Sequence, residues 1–444
     1  MALTNSKKHS IILFALIICL PTLYFSCERN TTPFTQSPAQ LTVSAEYVAV
    51  TEAWLRVQTK NISGEPRLTV WRDTTMVFNG ILNKIDTTVY DSTLFPAQDY
   101  AYYAAIIRNS IVLVASNPLK VTTMDTTSHD FQWDINEIPS PYGSGVLHDV
   151  TIVNENDIWA VGEIYADSIQ PWLPYNAVHW DGQEWELKRI NFYLCPNGTT
   201  PTPYPIKAVF AFSGDDIWFT RGGSIVHWNG TNFIHDCQIN SVIDGSINKL
   251  WGTNSNNLYA VGYNGTIVHF NGSNWEKIES GTDLPIMDIY GVRKNKSGQY
   301  EILCVAEEYG NLGGSKILSI ESSNVIEIST NGLLSSGLWG IWFVPQRQYI
   351  AVGDGLWETH SLGGSWVRSE SLPALFKTSI DGKDLNDVVI VGAFWLLAHY
   401  NGINWRTYFP VTSGSFTSVA MKDDVLIAVG GTGNQPVAAI GRRL

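Results

Sequence analysis

Charge is scarce in this chain. Of 444 residues only 28 are Lys or Arg and 41 are Asp or Glu, 16% in all, for a net charge of −13. The basic residues are scattered, and their densest groups are Arg293-Lys294-Lys296 and Arg442-Arg443. Phosphate backbones need concentrated positive charge, so the composition argues against nucleic acid as a partner. Long apolar runs are also missing. The longest near the start, Ile11 to Leu20, is too short to cross a bilayer as a helix. The sequence has no Gly-rich phosphate loop, no nucleophile elbow and no Cys and His spacing for zinc. It has no arginine cluster or paired-carboxylate motif either. The nearest approach to the Asp-box turn of sialidase-type proteins, Ser361-Leu362-Gly363-Gly364-Ser365-Trp366, lacks the defining Asp. No catalytic residue, metal or cofactor is expected, and the chain is not read as an enzyme.

What the sequence does hold is a repeat. Asn248 to Lys277 contains three short apolar runs and the start of a fourth, separated by polar turns. Asn254 to Asn257 ends one strand, while Asn264-Gly265 and Asn271-Gly272 are pairs that tolerate the positive φ of tight hairpins. The unit is a four-stranded antiparallel meander. Copies are counted from the aromatic after each third-to-fourth-strand turn: Trp185, Phe233, Trp275, Trp366 and Trp405, with gaps of 48, 42, 91 and 39. The gap of 91 spans two repeats, the worn copy lying at Gln299 to Ile328. The second strands agree, ending at Gly162, Thr220, Gly262, Gly353, Gly392 and Gly430. A meander cannot bury both of its faces alone, so copies at a period of about 45 residues imply blades around an axis. The last unit is one strand short at Leu444, and Phe131 to Ile138 resembles the missing strand. The expected fold is all-β, with a seven-bladed β-propeller at 130–444 closed by this N-terminal strand.

Upstream, Lys7 and Lys8 precede the apolar run and Pro21 breaks it, as in a cleavable export signal. Leu23-Tyr24-Phe25-Ser26-Cys27 resembles the lipobox of bacterial lipoproteins, although Leu stands one position early. That resemblance implies a signal peptide at 1–26, lipidation of Cys27 and anchoring at a membrane surface. Residues 27–39 are a polar tether. Residues 40–124 carry about seven short alternating runs, which points to a β-sandwich. Leu94-Phe95-Pro96 followed by Tyr100-Ala101-Tyr102-Tyr103-Ala104 resembles the approach to strand F of fibronectin type III domains, where a Tyr makes the tyrosine corner. Trp54 falls at the place of that family's core Trp on strand B, and Asn117-Pro118 through Thr123 matches its closing strand. The resemblance implies a spacer or binding module. Met124 to Asp130 is a short linker.

Five histidines, His179, His227, His269, His360 and His399, lie six residues before the anchoring aromatic of their repeat. Equivalent positions point outward around a ring, so they are expected to pack between blades and bond a neighbour's backbone rather than converge on a metal. His148, beside Asp149, falls outside the pattern and is a candidate channel residue. Cys304 is expected to be buried. Cys195 and Cys237 follow the fourth strands of adjacent blades, and a disulfide between them is one of two open alternatives.

Two insertions break the period: 163–176 between second and third strands of the first unit, and 191–205 before the second unit. Strands alternate direction, so both emerge on one face and bring together Tyr165, Trp172, Tyr175, Phe192, Tyr193 and Tyr204. Insertions on one face commonly mark a binding surface, and Trp and Tyr anchor sugars or proteins. The expected function is non-catalytic recognition of a protein or polysaccharide by a monomer displayed at a bacterial cell envelope, held to the membrane by its lipid. The rival is a polysaccharide-active lyase or glycoside hydrolase, which a cluster of acidic and basic side chains at the channel mouth would favour. A third reading is an assembly scaffold for an envelope complex. The D-[IV]-W-A-V-G and H-W-[DN]-G signatures are similar to propeller repeats in secreted proteins of environmental bacteria, a likeness that bears on fold and compartment rather than activity.

Overall fold

A computed structural model describes residues 37–444, apart from 196–197, 199, 295–297, 308–313, 331–336 and 409–412. Cys27, the export segment and most of the tether lie outside the described residues. Every sheet is antiparallel.

Seven four-stranded sheets follow one another from residue 146: sheet 1 at 146–188, sheet 2 at 208–236, sheet 3 at 247–277, sheet 4 at 286–328, sheet 5 at 338–369, sheet 6 at 377–408 and sheet 7 at 415–443. Each pairs its strands in chain order, and sheet 7 takes its fourth strand from Phe131–Glu137, which pairs with Pro436–Arg443 in the register Trp133 to Gly441. Sheet 4, where the sequence repeat is most worn, keeps all four strands.

The apolar residues of these sheets are not buried within a sheet but between neighbours. One core joins sheets 1 and 2 around Trp159, Val161, Phe192 and Phe219. Further cores join sheets 2 and 3, 3 and 4, 4 and 5, 5 and 6, and 6 and 7. The last, containing Leu147, Ile158, Ile427 and Ile440, joins sheet 7 back to sheet 1. Side chains of the first strands add staples to the next sheet's backbone. Asp149 accepts the Val209 N–H at 3.1 Å, Asp288 the Ile341 N–H at 3.1 Å and Asp381 the Met421 N–H at 2.8 Å. Asn248 donates to the Ile286 carbonyl at 3.0 Å, and Thr417 to that of Leu147 at 2.6 Å.

The repeat motifs have local causes. Asn264 and Gly265 both have positive φ, 54° and 62°, so this tight turn is built as the Asn-Gly pair suggests. The turns after the third strands work differently. Asp181, Asn229, Asn271 and Asn401 each use Oδ1 to accept the N–H groups two and three residues on, and only the following Gly takes positive φ. The histidines bond side chains of the second strand in their own sheet, not a neighbouring blade's backbone as expected. His179 meets Asp157 at 2.9 Å, His227 meets Asp216 at 2.8 Å, His269 meets Asn257 at 2.7 Å and His399 meets Asp387 at 2.8 Å. The rings of His179, His227 and His269 also stack on Trp159, Trp218 and Tyr259. His360 instead meets the Arg347 carbonyl at 2.9 Å. Antiparallel pairing sets His179, His227 and His269 directly opposite these aromatics, so a short acid or amide two residues before the aromatic is within reach.

Residues 40–122 form two facing sheets. One holds Gln40–Val48, Ala53–Lys60 and Asp86–Asp91; the other holds Arg67–Arg72, Thr75–Ile81, Asp99–Arg108, Ile111–Ala115 and Leu119–Thr122. Leu41, Leu55, Val57, Leu68, Val89, Tyr102 and Ile106 fill the space between. The Tyr100 hydroxyl accepts the Phe95 N–H at 2.9 Å, fixing the Leu94-Phe95-Pro96 turn. Trp54 is not in this core. Side chains alternate along Ala53–Lys60, so with Leu55 and Val57 inside, Trp54 points the other way and is buried with Trp342, Ile380, Leu385 and Val388 of sheets 5 and 6. Arg347 reaches across the junction, ion-pairing with Glu46 at 3.1 Å over the rings of Tyr47 and Trp54. Tyr47 donates to Asp384, and Asn386 donates to the Asp125 carbonyl at 2.9 Å.

Two stability predictions follow from these contacts. A Cβ on Gly441 would lie 2.8 Å from the Trp133 ring, so Gly441→Val should cost about 1–3 kcal/mol by overpacking and lower the melting temperature; an unchanged melt would mean that the Trp133 strand contributes little to closure. Asp387, with a 4% exposed side chain, holds both His399 and Arg443. Asp387→Ala leaves that guanidinium with only the exposed Asp424 at 3.4 Å and the Ser128 carbonyl, and should cost about 2–3 kcal/mol, whereas Asp157→Ala, at a wetter position, should cost about 1 kcal/mol in denaturant unfolding.

Candidate functional site

Within a sheet the loops between second and third strands, and those leading to the next sheet, emerge at one end, while the remaining turns emerge at the other. Arg347, Asp384, Asn386 and Gly402 all lie in turns of the second kind. The 40–122 unit therefore covers the end opposite the two insertions, and among the described residues the insertion end is left uncovered.

Both insertions are tied down from below. Asn176 is fully buried, and its amide donates to the carbonyls of Ile190 at 2.7 Å and Tyr204 at 2.8 Å while its oxygen accepts the Ile190 N–H at 2.8 Å. Arg189 bridges the pair: it ion-pairs with Asp167 at 2.9 Å, donates to the Leu173 carbonyl at 3.0 Å and lies over the Tyr175 ring. The backbone N–H groups of Gln170 and Ile169, with Arg189, hold the Asp167 carboxyl below the ordinary carboxylate range. Cys195 and Cys237 form a disulfide between the second insertion and the end of sheet 2. Cys304 is free and buried, as expected, on the second strand of sheet 4.

The six aromatics part ways in this frame. Trp172 is 69% exposed and Tyr193 is 38% exposed, the latter edge-on to His235. Phe192 is 1% exposed, lies in the core between sheets 1 and 2, and presents nothing to a ligand. Tyr165, Tyr175 and Tyr204 are half-buried. The Tyr165 hydroxyl donates to Glu163 at 2.9 Å, and the Tyr204 ring lies under the Arg221 guanidinium. These three join the loops to the sheets. Ile169 and Leu194 are exposed beside Trp172 and Tyr193 in sequence, and a search for aromatics alone passes them over.

The same end opens on the axis. One residue from each sheet's first strand, or just before it, lines a cavity of about 220 Å³: His148, Lys207, Asn248, Met287, Trp339, Thr378 and Thr417. Beneath them Lys249 pairs with Asp149 at 2.6 Å, and Ser418 donates to the same carboxylate at 2.7 Å. Burial opposes the Lys249 ammonium, but Asp149, with Asp288 and Asp381 farther off, outweighs it and raises its pKa. Burial pushes Asp288 and Asp381 up to about 6 and His148 down to about 4. His148 is a channel residue, neutral at pH 7. The acidic and basic residues of the axis come from five first strands separated by tens of residues, and no local motif announces them. Lys249 and Asp288 lie two residues into their strands, Asp149 and Asp381 lie deeper and Lys207 lies just before its strand, so no single register position marks them. Among the described residues no group of three or more His, Cys, Asp or Glu is placed to hold a metal ion, and no helix is long and apolar enough to cross a membrane.

No family model matches the chain, and no curated protein does. Solved structures do. YCF48 bound to D1 peptide is 15% identical, with a TM-score of 0.51 over 71% of this chain and 99% of that one. The extracellular domain of the hybrid two-component system BT4673 from B. thetaiotaomicron is 11% identical, with a TM-score of 0.44 over 91% of this chain and 59% of that one. At 15% identity the likeness to YCF48, a β-propeller protein, is one of fold alone: the ring of four-stranded sheets is a β-propeller.

Proposed function

We propose that this chain is a non-catalytic binding protein, displayed at a bacterial cell envelope, that captures a protein or a polysaccharide on the insertion end of a seven-bladed propeller. The observation that carries the reading is the exposure of Trp172 on a loop whose base is fixed by buried Asn176 and Arg189. Large aromatics held in place before binding lose little entropy on contact, which is what makes them anchors. A fold neighbour described as bound to a peptide is in keeping with it. Seven consecutive four-stranded sheets with a borrowed last strand support the blade count, and the two facing sheets with the Tyr100 turn support a fibronectin type III-like spacer. Lipid on Cys27 would lead into the spacer, which sits at the far end from Trp172, so the capturing end would face away from the membrane.

The enzyme reading, a lyase or glycoside hydrolase, has one observation in its favour: Asp149, Lys207, Lys249 and Asp288 gather at the channel mouth. Against it, both Asp149 and Asp288 accept backbone N–H groups from the next sheet, so their charges are already spent on joining sheets.

The test is the double variant Trp172→Ala with Tyr193→Ala, measured on a glycan array and by pull-down from envelope extracts of the same organism. Capture should fall by roughly tenfold or more, as for loss of an aromatic anchor, with the melting temperature unchanged; full-strength capture would sink the reading. Cys27→Ser should abolish incorporation of labelled palmitate and release the protein from membranes, and a variant still labelled would rule out Cys27 as the anchor.

A further inference from the structure

At the channel mouth nearly every polar group has a partner. Asp149 accepts from Lys249, Ser418 and the Val209 N–H. Thr378 and Thr417 spend their hydroxyls on the carbonyls of Phe416 and Leu147, and Asn248 donates to that of Ile286. Four groups stand apart. Among the described residues the Lys207 ammonium, the His148 ring, the Trp339 indole N–H and the Tyr263 hydroxyl have no hydrogen bond or ion pair, and all four line the cavity. Lys207 is an exposed residue at the mouth. The protein around its ammonium still disfavours the charge and lowers its pKa, Asp149 opposing and Lys249 reinforcing the shift. A cation with its nearest carboxylate already committed lacks a counter-ion.

Met287, Trp339 and the Tyr263 ring supply the apolar part of the wall, and Ser379 and the buried Asp288, which already accepts the Ile341 N–H, complete it. The volume, about 220 Å³, is below that of sites for drug-sized ligands and suits a terminal group rather than a length of chain. We propose that the mouth of the axial channel binds a single carboxylate on a small apolar body, the carboxy-terminal residue of a peptide, with Lys207 as counter-ion and Trp339 and Met287 as the apolar wall. An acidic sugar fits less well. Its several hydroxyls need several polar partners, and most of those at the mouth are already engaged with one another or with the backbone. The site is separate from the exposed aromatics of the insertions and does not depend on them.

Calorimetric titration of the full chain with N-acetyl-leucine, N-acetyl-leucinamide and glucuronate distinguishes the cases. N-acetyl-leucine should bind, and its amide should bind roughly tenfold or more weakly, as for loss of a charge-assisted hydrogen bond. Lys207→Gln should reproduce that loss without changing the melting temperature, and Lys207→Arg, which keeps the charge, should retain most of the binding. Equal binding of acid and amide, undiminished binding by Lys207→Gln, or no binding of N-acetyl-leucine at millimolar concentration would each overturn the assignment. Tighter binding of glucuronate would overturn it in favour of acidic sugars.

Discussion

A four-stranded meander has two faces and no way to bury either, and the molecule is the solution to that constraint. Each sheet of the ring completes its core only with the next one, so seven apolar cores lie between sheets and none within. An arrangement of this kind is stable only if it closes, since an open end would expose an apolar face and an unpaired strand edge. Closure is made twice here, by the core of sheets 7 and 1 and by the pairing of Phe131–Glu137 with Pro436–Arg443. The second contact joins segments three hundred residues apart, so the ring cannot be completed until the last strand has formed.

Closure also dictates what the axis can be. First strands converge there, and their side chains must satisfy one another or the neighbouring backbone in a confined space. Asp149, Asp288 and Asp381 do so by accepting N–H groups from the next sheet, and Lys249 neutralises the most enclosed of them. Charges at the axis are thus structural first. Lys207 departs from that rule, which is why it draws a ligand hypothesis when the carboxylates do not. At the rim the order is reversed: the insertions have polar roots in buried Asn176 and half-buried Arg189, and apolar tips in Trp172 and Ile169.

The 40–122 unit adds a second consequence of packing. It is fused to sheets 5 and 6 through Trp54 and Arg347, with the linker carbonyl of Asp125 held by Asn386. A fixed junction of this kind leaves only one end of the ring free.

Sequence alone was enough to read the four-stranded repeat, its turns and the supply of the last strand from around Trp133, because these depend on local chemistry: alternation, Asn-Gly and Asp-Gly turns, and an apolar period. It was enough also to place both insertions at one end, because antiparallel strands leave no choice. Only the tertiary structure decided which way Trp54 faces, that the repeat histidines bond acids and amides of their own sheet, and that Phe192 fills a core while Trp172 stands free. The charged axis was invisible for the same reason: Asp149, Lys207, Lys249 and Asp288 are isolated in sequence, and only ring closure brings them together, since contacts across an axis depend on strand register and curvature rather than on any neighbouring residue.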